Sequence, residues 1–139
     1  PEADLLKIMK MCLIHDLGEA FTGDIPAFEK TDKDSEKEAD VLGEWVKTLP
    51  EPFDKEMAEL YQEMEAQRTL EARIYKALDK LEAIVQHNES DIATWEPHEY
   101  QLNMTYADDA VAWSPVLREL REAIRNDTKA KIAAAEQQA

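Results

Sequence analysis

The sequence contains very little glycine: three residues in 139, Gly18, Gly23 and Gly43. Sheet proteins need many tight turns, and hairpin turns depend on glycine and on Asn-Gly pairs. So little glycine favours a few long helices. We therefore expect an all-α fold, a bundle of about five to six helices, in a single domain over residues 1–139.

Cysteine and long apolar runs are also scarce. The one cysteine, Cys12, cannot form an internal disulfide, and it lies in an apolar run. This is typical of a small buried side chain in a reducing compartment, so we expect a cytoplasmic protein. No run of about 18 apolar residues is present, so the sequence predicts no membrane-spanning helix.

Basic residues are few compared with acidic ones: the sequence has 16 Lys and Arg but 31 Asp and Glu, which gives a net charge of −15. Because nucleic-acid-binding proteins neutralise phosphates with Lys and Arg, a polynucleotide partner is disfavoured, and so is an anionic membrane surface. A small anionic substrate stays compatible with this charge, since a bound divalent cation reverses the sign of the local field.

Apolar residues at helical spacing predict five helices along the chain. The first is apolar around nearly its whole circumference, which indicates a central helix. Thr69 and the pair Ser114-Pro115 are typical of helix N-termini. The helices cover roughly residues 2–16, 41–49, 53–67, 70–87 and 115–132, with a charged segment at 30–40, a loop or broken helix at 17–27, and a loop with short helical pieces at 89–113.

The pair His15-Asp16 ends the first, otherwise apolar helix. A charged Asp beside a His in a buried helix is costly unless something compensates it, and a divalent metal ion bound by imidazole nitrogen and carboxylate oxygen would do so. The alternative is a plain helix C-terminus, where a protonated His interacts with the helix dipole. For the pair taken alone, this second interpretation is the more common one.

Three further carboxylates could take part in chemistry. Glu19 and Asp24 follow the pair in a glycine-bearing segment, where a carboxylate can activate or orient water. Taken alone, two solvated surface acids are the more common interpretation, since Asp and Glu make up 31 residues of the chain. Asp79 falls at the edge of the apolar stripe of the fourth helix. That position suits a carboxylate reaching into a cavity, and it also suits a surface Asp flanked by Lys76 and Lys80.

Taken together, three motifs resemble the HD-domain phosphohydrolases: HDLGE at residues 15–19, GDIP at 23–26 and ALDKLE at 77–82. Their order and spacing resemble the 5′-deoxynucleotidase branch, the type that includes YfbR and HD-domain-containing protein 2. The similarity extends over nearly the whole chain, including YQLN at 100–103. The run HDLGE followed by GDIP is much more specific than a His-Asp pair alone.

The resemblance implies a metal-dependent phosphohydrolase that removes the 5′-phosphate from deoxynucleoside monophosphates. It implies that His15, Asp16 and Asp79 are ligands of a divalent metal ion, Co²⁺, Mn²⁺ or a similar ion, and that Glu19 is the catalytic acid. It also implies a homodimer with a small-molecule deoxynucleotide as substrate.

The resemblance further implies a substrate pocket. Asp24, Ile25, Pro26 and Ala27 would line the sugar site, with Asp24 near the 3′ side of the deoxyribose, and Asp79 would contact the substrate as well as the metal.

One departure from the family pattern bears on activity. The family has a further His, and an Arg-Trp pair that holds the substrate, tens of residues before the His-Asp pair, whereas only fourteen residues precede His15 here. We therefore expect the single HD domain to lack its N-terminal helices. Two alternatives stay open: an HD hydrolase of another nucleotide, and a catalytically silent acidic helical module that binds a protein partner.

Overall fold

The structure, a computed structural model, describes residues 2–23, 25 and 31–137. Within these residues the regular backbone is entirely helical, and six α-helices have nine or more residues, which confirms the all-α prediction. The elements are α1 (Leu5–Ile14), α2 (Glu19–Thr22), α3 (Asp32–Val46), α4 (Phe53–Ala66), α5 (Leu70–Glu89), a 3-10 helix (Ile92–Thr94), α6 (Pro97–Thr105), α7 (Asp108–Val111) and α8 (Pro115–Glu136).

The chain divides into two compact units, one up to Tyr75 and one from Lys76 onward. The first contains α1 to α4 and the beginning of α5. Its core is apolar, with buried side chains from all of its longer helices: Ile8, Met11, Leu42, Val46, Met64, Ala72 and Tyr75. An ion pair of 3.0 Å between Lys7 Nζ and Glu63 Oε2 joins α1 to α4.

Helix α1 is less buried than the sequence predicts. Its residues Leu6, Met9 and Leu13 are 64%, 53% and 78% exposed, whereas Ile8 and Met11 are buried. The expectation of a helix covered around its whole circumference is therefore wrong within the described residues. Composition identifies apolar positions, but which of them are covered depends on tertiary packing.

Helix α3 begins well before its apolar stripe. The charged segment that we expected to lead into the helix is itself helical from Asp32, because Thr31 and Asp34 form a capping box. The Thr31 hydroxyl oxygen accepts from the Asp34 amide at 3.4 Å, and an Asp34 carboxylate oxygen accepts from the Thr31 amide at 3.0 Å. This reciprocal pair satisfies two backbone donors that a new helix otherwise leaves without partners.

The second unit contains the rest of α5 and all later helices. A cluster of apolar side chains forms its core: Ala77, Leu81, Ile84, Ala107, Val111, Leu117 and Ile124. The predicted cap at Ser114 is confirmed, since its hydroxyl accepts from the Leu117 amide at 3.3 Å. The segment 89–113 consists of the predicted short helical pieces, of which α6 is the longest.

No helix among residues 2–23 and 31–137 has the length and apolar character required to cross a membrane.

Candidate functional site

The end of α1 is held in place by α4. The Tyr61 hydroxyl donates a hydrogen bond of 2.7 Å to the backbone carbonyl of Ile14, the last residue of α1. Burial raises the pKa of Tyr61 to about 12, so the hydroxyl stays protonated and keeps donating near neutral pH. The residue that follows Ile14 is His15, and its backbone position is therefore fixed by a contact from a different helix.

The backbone also fixes the tautomer of His15. Its Nδ1 lies 2.8 Å from the Cys12 carbonyl oxygen, and because a carbonyl can only accept, Nδ1 carries the hydrogen. In the neutral ring, Nε2 is then left with its lone pair. A backbone carbonyl that orients an imidazole in this way is a common partner of metal-binding histidines.

The lone pair on Nε2 faces a carboxylate. His15 Nε2 lies 3.0 Å from Asp16 Oδ2, and the His15 side chain is 26% exposed. Two acceptors at this distance repel unless a proton or a cation bridges them. Two ligands at right angles around one cation, each about 2.1 Å from it, lie about 3 Å apart. The spacing thus fits neighbouring ligands of one metal ion, and it equally fits a protonated His15.

Glu19 follows within one turn of this pair. It begins α2, and its amide donates to the Asp16 carbonyl at 3.0 Å. A ring contact between Phe21 and Trp45, with centroids 5.9 Å apart, joins α2 to α3. Glu19, the predicted catalytic acid, is partly buried. It lies on a short helix that is hydrogen-bonded to Asp16 at its start and contacts α3 through Phe21.

Gly18 allows α3 to approach this segment closely. A Cβ atom built on Gly18 would lie 2.5 Å from Cγ of Glu38 and 2.8 Å from its Oε1. The Gly18 backbone is ordinary right-handed helix, so the requirement for glycine here is space and not backbone conformation. Any other residue at position 18 would have a Cβ atom in the space that the Glu38 side chain occupies.

We expect the substitution Gly18→Ala to destabilise the protein by about 1 kcal/mol, because inserting a methyl group into a filled space forces the Glu38 side chain to move. Urea unfolding followed by circular dichroism measures the change. In the double variant Gly18→Ala, Glu38→Ala the obstacle is gone, so we expect most of the loss to be recovered. An equal loss in the single and double variants would show that Glu38 is not the cause.

Asp79 lies in the second unit, on α5, and it is mostly covered. Its side chain is 27% exposed, and Oδ2 accepts from Lys76 Nζ at 2.7 Å. Tyr106 is nearby: burial, and secondarily the charge of Asp79, raise the pKa of its hydroxyl. The ammonium group of Lys80 lies 5.6 Å from the centre of the Tyr106 ring. Asp79 is thus a partly buried carboxylate in a charged surrounding.

The structure brings two of the predicted site residues into direct contact. His15 and Asp16 are paired at 3.0 Å, Glu19 follows one turn later along the chain, and Ile25 is partly buried. Three of the residues predicted to line the sugar pocket, Asp24, Pro26 and Ala27, lie outside the described residues. Among those described, no cluster of three or more His, Cys, Asp or Glu side chains is arranged to hold a metal ion, so the three-ligand site stays a prediction.

The two other histidines differ from His15. His87 stacks on Trp95 with ring centroids 4.4 Å apart. Its Nδ1 accepts from Asn103 Nδ2 at 2.6 Å, and its Nε2 lies 3.4 Å from Glu99 Oε2. Both ring nitrogens of His87 therefore contact groups of the second unit, which is the pattern of a structural histidine. His98 is exposed near the start of α6.

Two residues near the site were not identified from the sequence: Tyr61, which bonds to the end of α1, and Glu38, which packs against Gly18. Tyr61 lies on the predicted apolar stripe of α4, where it reads as a core residue. Glu38 lies in the charged segment and is one acid among many. No local pattern in the sequence distinguishes either residue, because each acts through a contact with a different helix.

The sequence of this chain is similar to those of known proteins. The HD domain family matches residues 1–121. The 5′-deoxynucleotidase HDDC2 of Dictyostelium discoideum is 37% identical over 102 residues, which are 72% of this chain and 52% of that protein. The 5′-deoxynucleotidase HDDC2 of Homo sapiens is 31% identical over 97 residues, 68% of this chain and 48% of that protein.

A solved structure is also similar. The crystal structure of a predicted metal-dependent phosphohydrolase from Magnetospirillum magnetotacticum has a TM-score of 0.72 and 26% sequence identity, covering 93% of this chain and 66% of that one. The chain spans about half the length of the curated relatives it matches. A match that extends over residues 1–121 of 139 shows the family: this chain belongs to the HD domain family.

Proposed function

We propose that this chain is a metal-dependent phosphohydrolase that removes the 5′-phosphate from deoxynucleoside monophosphates. The observation that carries the proposal is the pair of facing acceptors at the end of α1, His15 Nε2 and Asp16 Oδ2, 3.0 Å apart, with the other ring nitrogen committed to a carbonyl. Relatives named as 5′-deoxynucleotidases support the choice of substrate.

A divalent metal ion would be held by His15 and Asp16, with Asp79 as the more distant carboxylate ligand. One nitrogen with two oxygens suits Co²⁺, Mn²⁺ or a similar ion better than Mg²⁺, which prefers an all-oxygen shell. When bound, such an ion acts as a Lewis acid toward the phosphoryl oxygens and lowers the pKa of a bound water. It also makes an anionic substrate acceptable to a chain of net charge −15.

Glu19 is proposed to move the proton. A water oxygen forms the new bond to phosphorus as the bond between phosphorus and the 5′-oxygen breaks. The leaving alkoxide needs a proton from Glu19, and the proton lost by the attacking water restores the acid form of Glu19. Its position supports this role, since Glu19 is partly buried one turn after the pair, and a carboxyl group in its acid form can donate a proton. Asp79 would contact the substrate as well.

The sugar would be recognised by the segment after α2. Asp24, Ile25, Pro26 and Ala27 are proposed to line its pocket, with Asp24 at the 3′ side of the deoxyribose. A homodimer and a cytoplasmic location also belong to this proposal, the latter supported by the single cysteine.

Metal dependence tests the activity directly. We expect the purified chain to release inorganic phosphate from dAMP and dCMP with added Co²⁺ or Mn²⁺, and excess chelator to lower the rate by at least about a hundredfold. Readdition of the ion should restore the activity, which separates metal loss from unfolding. An unchanged rate in excess chelator would contradict the proposal.

The same assay separates the alternatives. An HD hydrolase of another nucleotide would act faster on a diphosphate or triphosphate than on dAMP. A silent interaction module would release no phosphate from any of them and would retain no metal by elemental analysis after dialysis against Co²⁺.

A further inference from the structure

A cavity of about 630 Å³ lies beside His15 in the first unit. Residues of α3 and α4 line most of it, and Tyr75 of α5 closes one side. Small-molecule sites in proteins usually have volumes of about 300–1,000 Å³. The centroids of the His15 and Tyr75 rings are 6.3 Å apart, so one end of the cavity adjoins the proposed catalytic pair. A ligand in the cavity could therefore reach that pair.

The walls of the cavity are mostly apolar. Leu42, Val46 and Met64 form buried parts of the lining, and Ala39 and Ala58 add small side chains. Tyr61 and Tyr75 also line it. Flat apolar surfaces with aromatic side chains suit a planar heteroaromatic ring better than a sugar or a phosphate, because the ring buries its faces without losing hydrogen bonds.

The charged groups of the cavity argue against an anion inside it. The acids Glu38, Asp54 and Glu65 line it. Its two lysines are already paired, Lys47 with Glu44 at 2.5 Å and Lys55 with Glu51 at 2.6 Å. A phosphate would therefore meet more negative than available positive charge. It would be better placed outside the cavity, at the His15 end.

One buried acceptor in the lining has no hydrogen bond. Oδ1 of Asp54 is buried and accepts no hydrogen bond from any residue in the described part of the chain. A buried carboxylate oxygen without a donor is costly, and such exceptions call for an explanation such as a bound ligand. An N–H group of a nucleobase would supply the missing donor.

We infer that this cavity holds the nucleobase of the substrate, with Asp54 accepting a hydrogen bond from an N–H of the base. The inference rests on the proposed function, since it places the 5′-phosphate at His15 and the base beyond it. Tyr61 then contacts both parts of the site: it lines the base site, and its hydroxyl bonds to the last residue of α1, next to His15.

The variant Ala39→Trp tests the inference, because an indole at this exposed position on α3 fills the opening of the cavity. The substrates are dAMP and deoxyribose 5-phosphate, which has the same phosphate and sugar but no base. We expect the loss in kcat/KM for dAMP to exceed that for deoxyribose 5-phosphate at least about tenfold, mainly through KM. Equal losses for the two substrates would overturn the inference.

Ala134→Trp is the matched control, since Ala134 is exposed on α8 in the other unit. It adds the same side chain without touching the cavity, and we expect equal activities on both substrates relative to the unmodified chain. Circular dichroism checks that both variants fold.

A binding experiment separates failure of this inference from failure of the proposed function. Deoxyadenosine, which has no phosphate, is titrated into the chain while the Met64 methyl signal is followed by NMR. We expect a saturable shift that is lost in Ala39→Trp and weakened in Asp54→Leu. Saturable binding without phosphate release from dAMP would support the base site and contradict the phosphohydrolase. Phosphate release from dAMP without any shift of the Met64 signal would support the phosphohydrolase and contradict the base site.

Discussion

Replacement of His15 by alanine is expected to lower metal-dependent phosphate release from dAMP by at least about a thousandfold, because it removes one of two adjacent ligands from the proposed cation site. Nδ1 of this ring is oriented by the Cys12 carbonyl, and Nε2 faces Asp16. The measurement is the initial rate of phosphate release at saturating Co²⁺ or Mn²⁺.

The matched control for this variant is His98→Ala, since His98 is exposed on α6. Its activity should stay within about twofold of the unmodified chain, because surface substitutions rarely change stability or distant sites. A second arm measures Co²⁺ affinity by calorimetry, where His15→Ala should weaken binding at least about tenfold. Full activity together with unchanged metal affinity in His15→Ala would contradict the proposed site.

The second large effect concerns stability and involves Arg121. This side chain is 1% exposed, and it donates to two backbone carbonyls, those of Tyr106 and Asn103, each at 2.9 Å. Asp108 lies 3.1 Å from Nε. Burial lowers the pKa of Arg121, but an arginine stays charged in proteins, so the folded state of the second unit is organised around a buried cation.

We expect Arg121→Met to lower the free energy of unfolding by about 3–5 kcal/mol, because it keeps the apolar volume but removes the donor of the Asn103 and Tyr106 carbonyls and leaves Asp108 with Arg125 alone. Arg121→Lys should also lower the free energy of unfolding, but by less, since an ammonium group cannot reproduce the two-carbonyl geometry of a guanidinium. Urea denaturation measures both. The control is Arg118→Met on the exposed side of α8, for which a change below about 0.5 kcal/mol is expected.

A loss below about 1 kcal/mol in Arg121→Met would mean that the buried guanidinium is replaceable by an apolar side chain, as some buried ion pairs are. The second unit would then not depend on a buried cation, although the fold class would not be affected.

The parts of the fold that could be predicted are those with a local cause. Thr69 and Ser114 each cap the helix that follows, as expected, because a hydroxyl at the N-cap satisfies an amide only two or three residues away. The helix beginning at Phe53 was predicted from its apolar stripe alone. The capping box at Thr31 is equally local. It was missed because the charged residues after it have no apolar period.

Other features depend on contacts between distant residues and could not be predicted. A charged residue on α8 gives no sign that it is buried, yet Arg121 is among the most buried side chains described. The exposure of Leu13 on α1 likewise depends on tertiary packing, which the local sequence does not show. At the site, the motif identified His15 and Asp16, but the hydrogen bond that fixes the tautomer and the bond from Tyr61 required the structure.

Binding of one divalent cation by His15, Asp16 and Asp79 is the central proposal. Its most direct test is a crystal of the chain grown with Co²⁺ and measured at the cobalt absorption edge. We expect one anomalous peak about 2.0–2.2 Å from His15 Nε2 and from a carboxylate oxygen of each aspartate. A cobalt ion bound elsewhere, or one bound at His15 without Asp79 as a ligand, would contradict the proposed site.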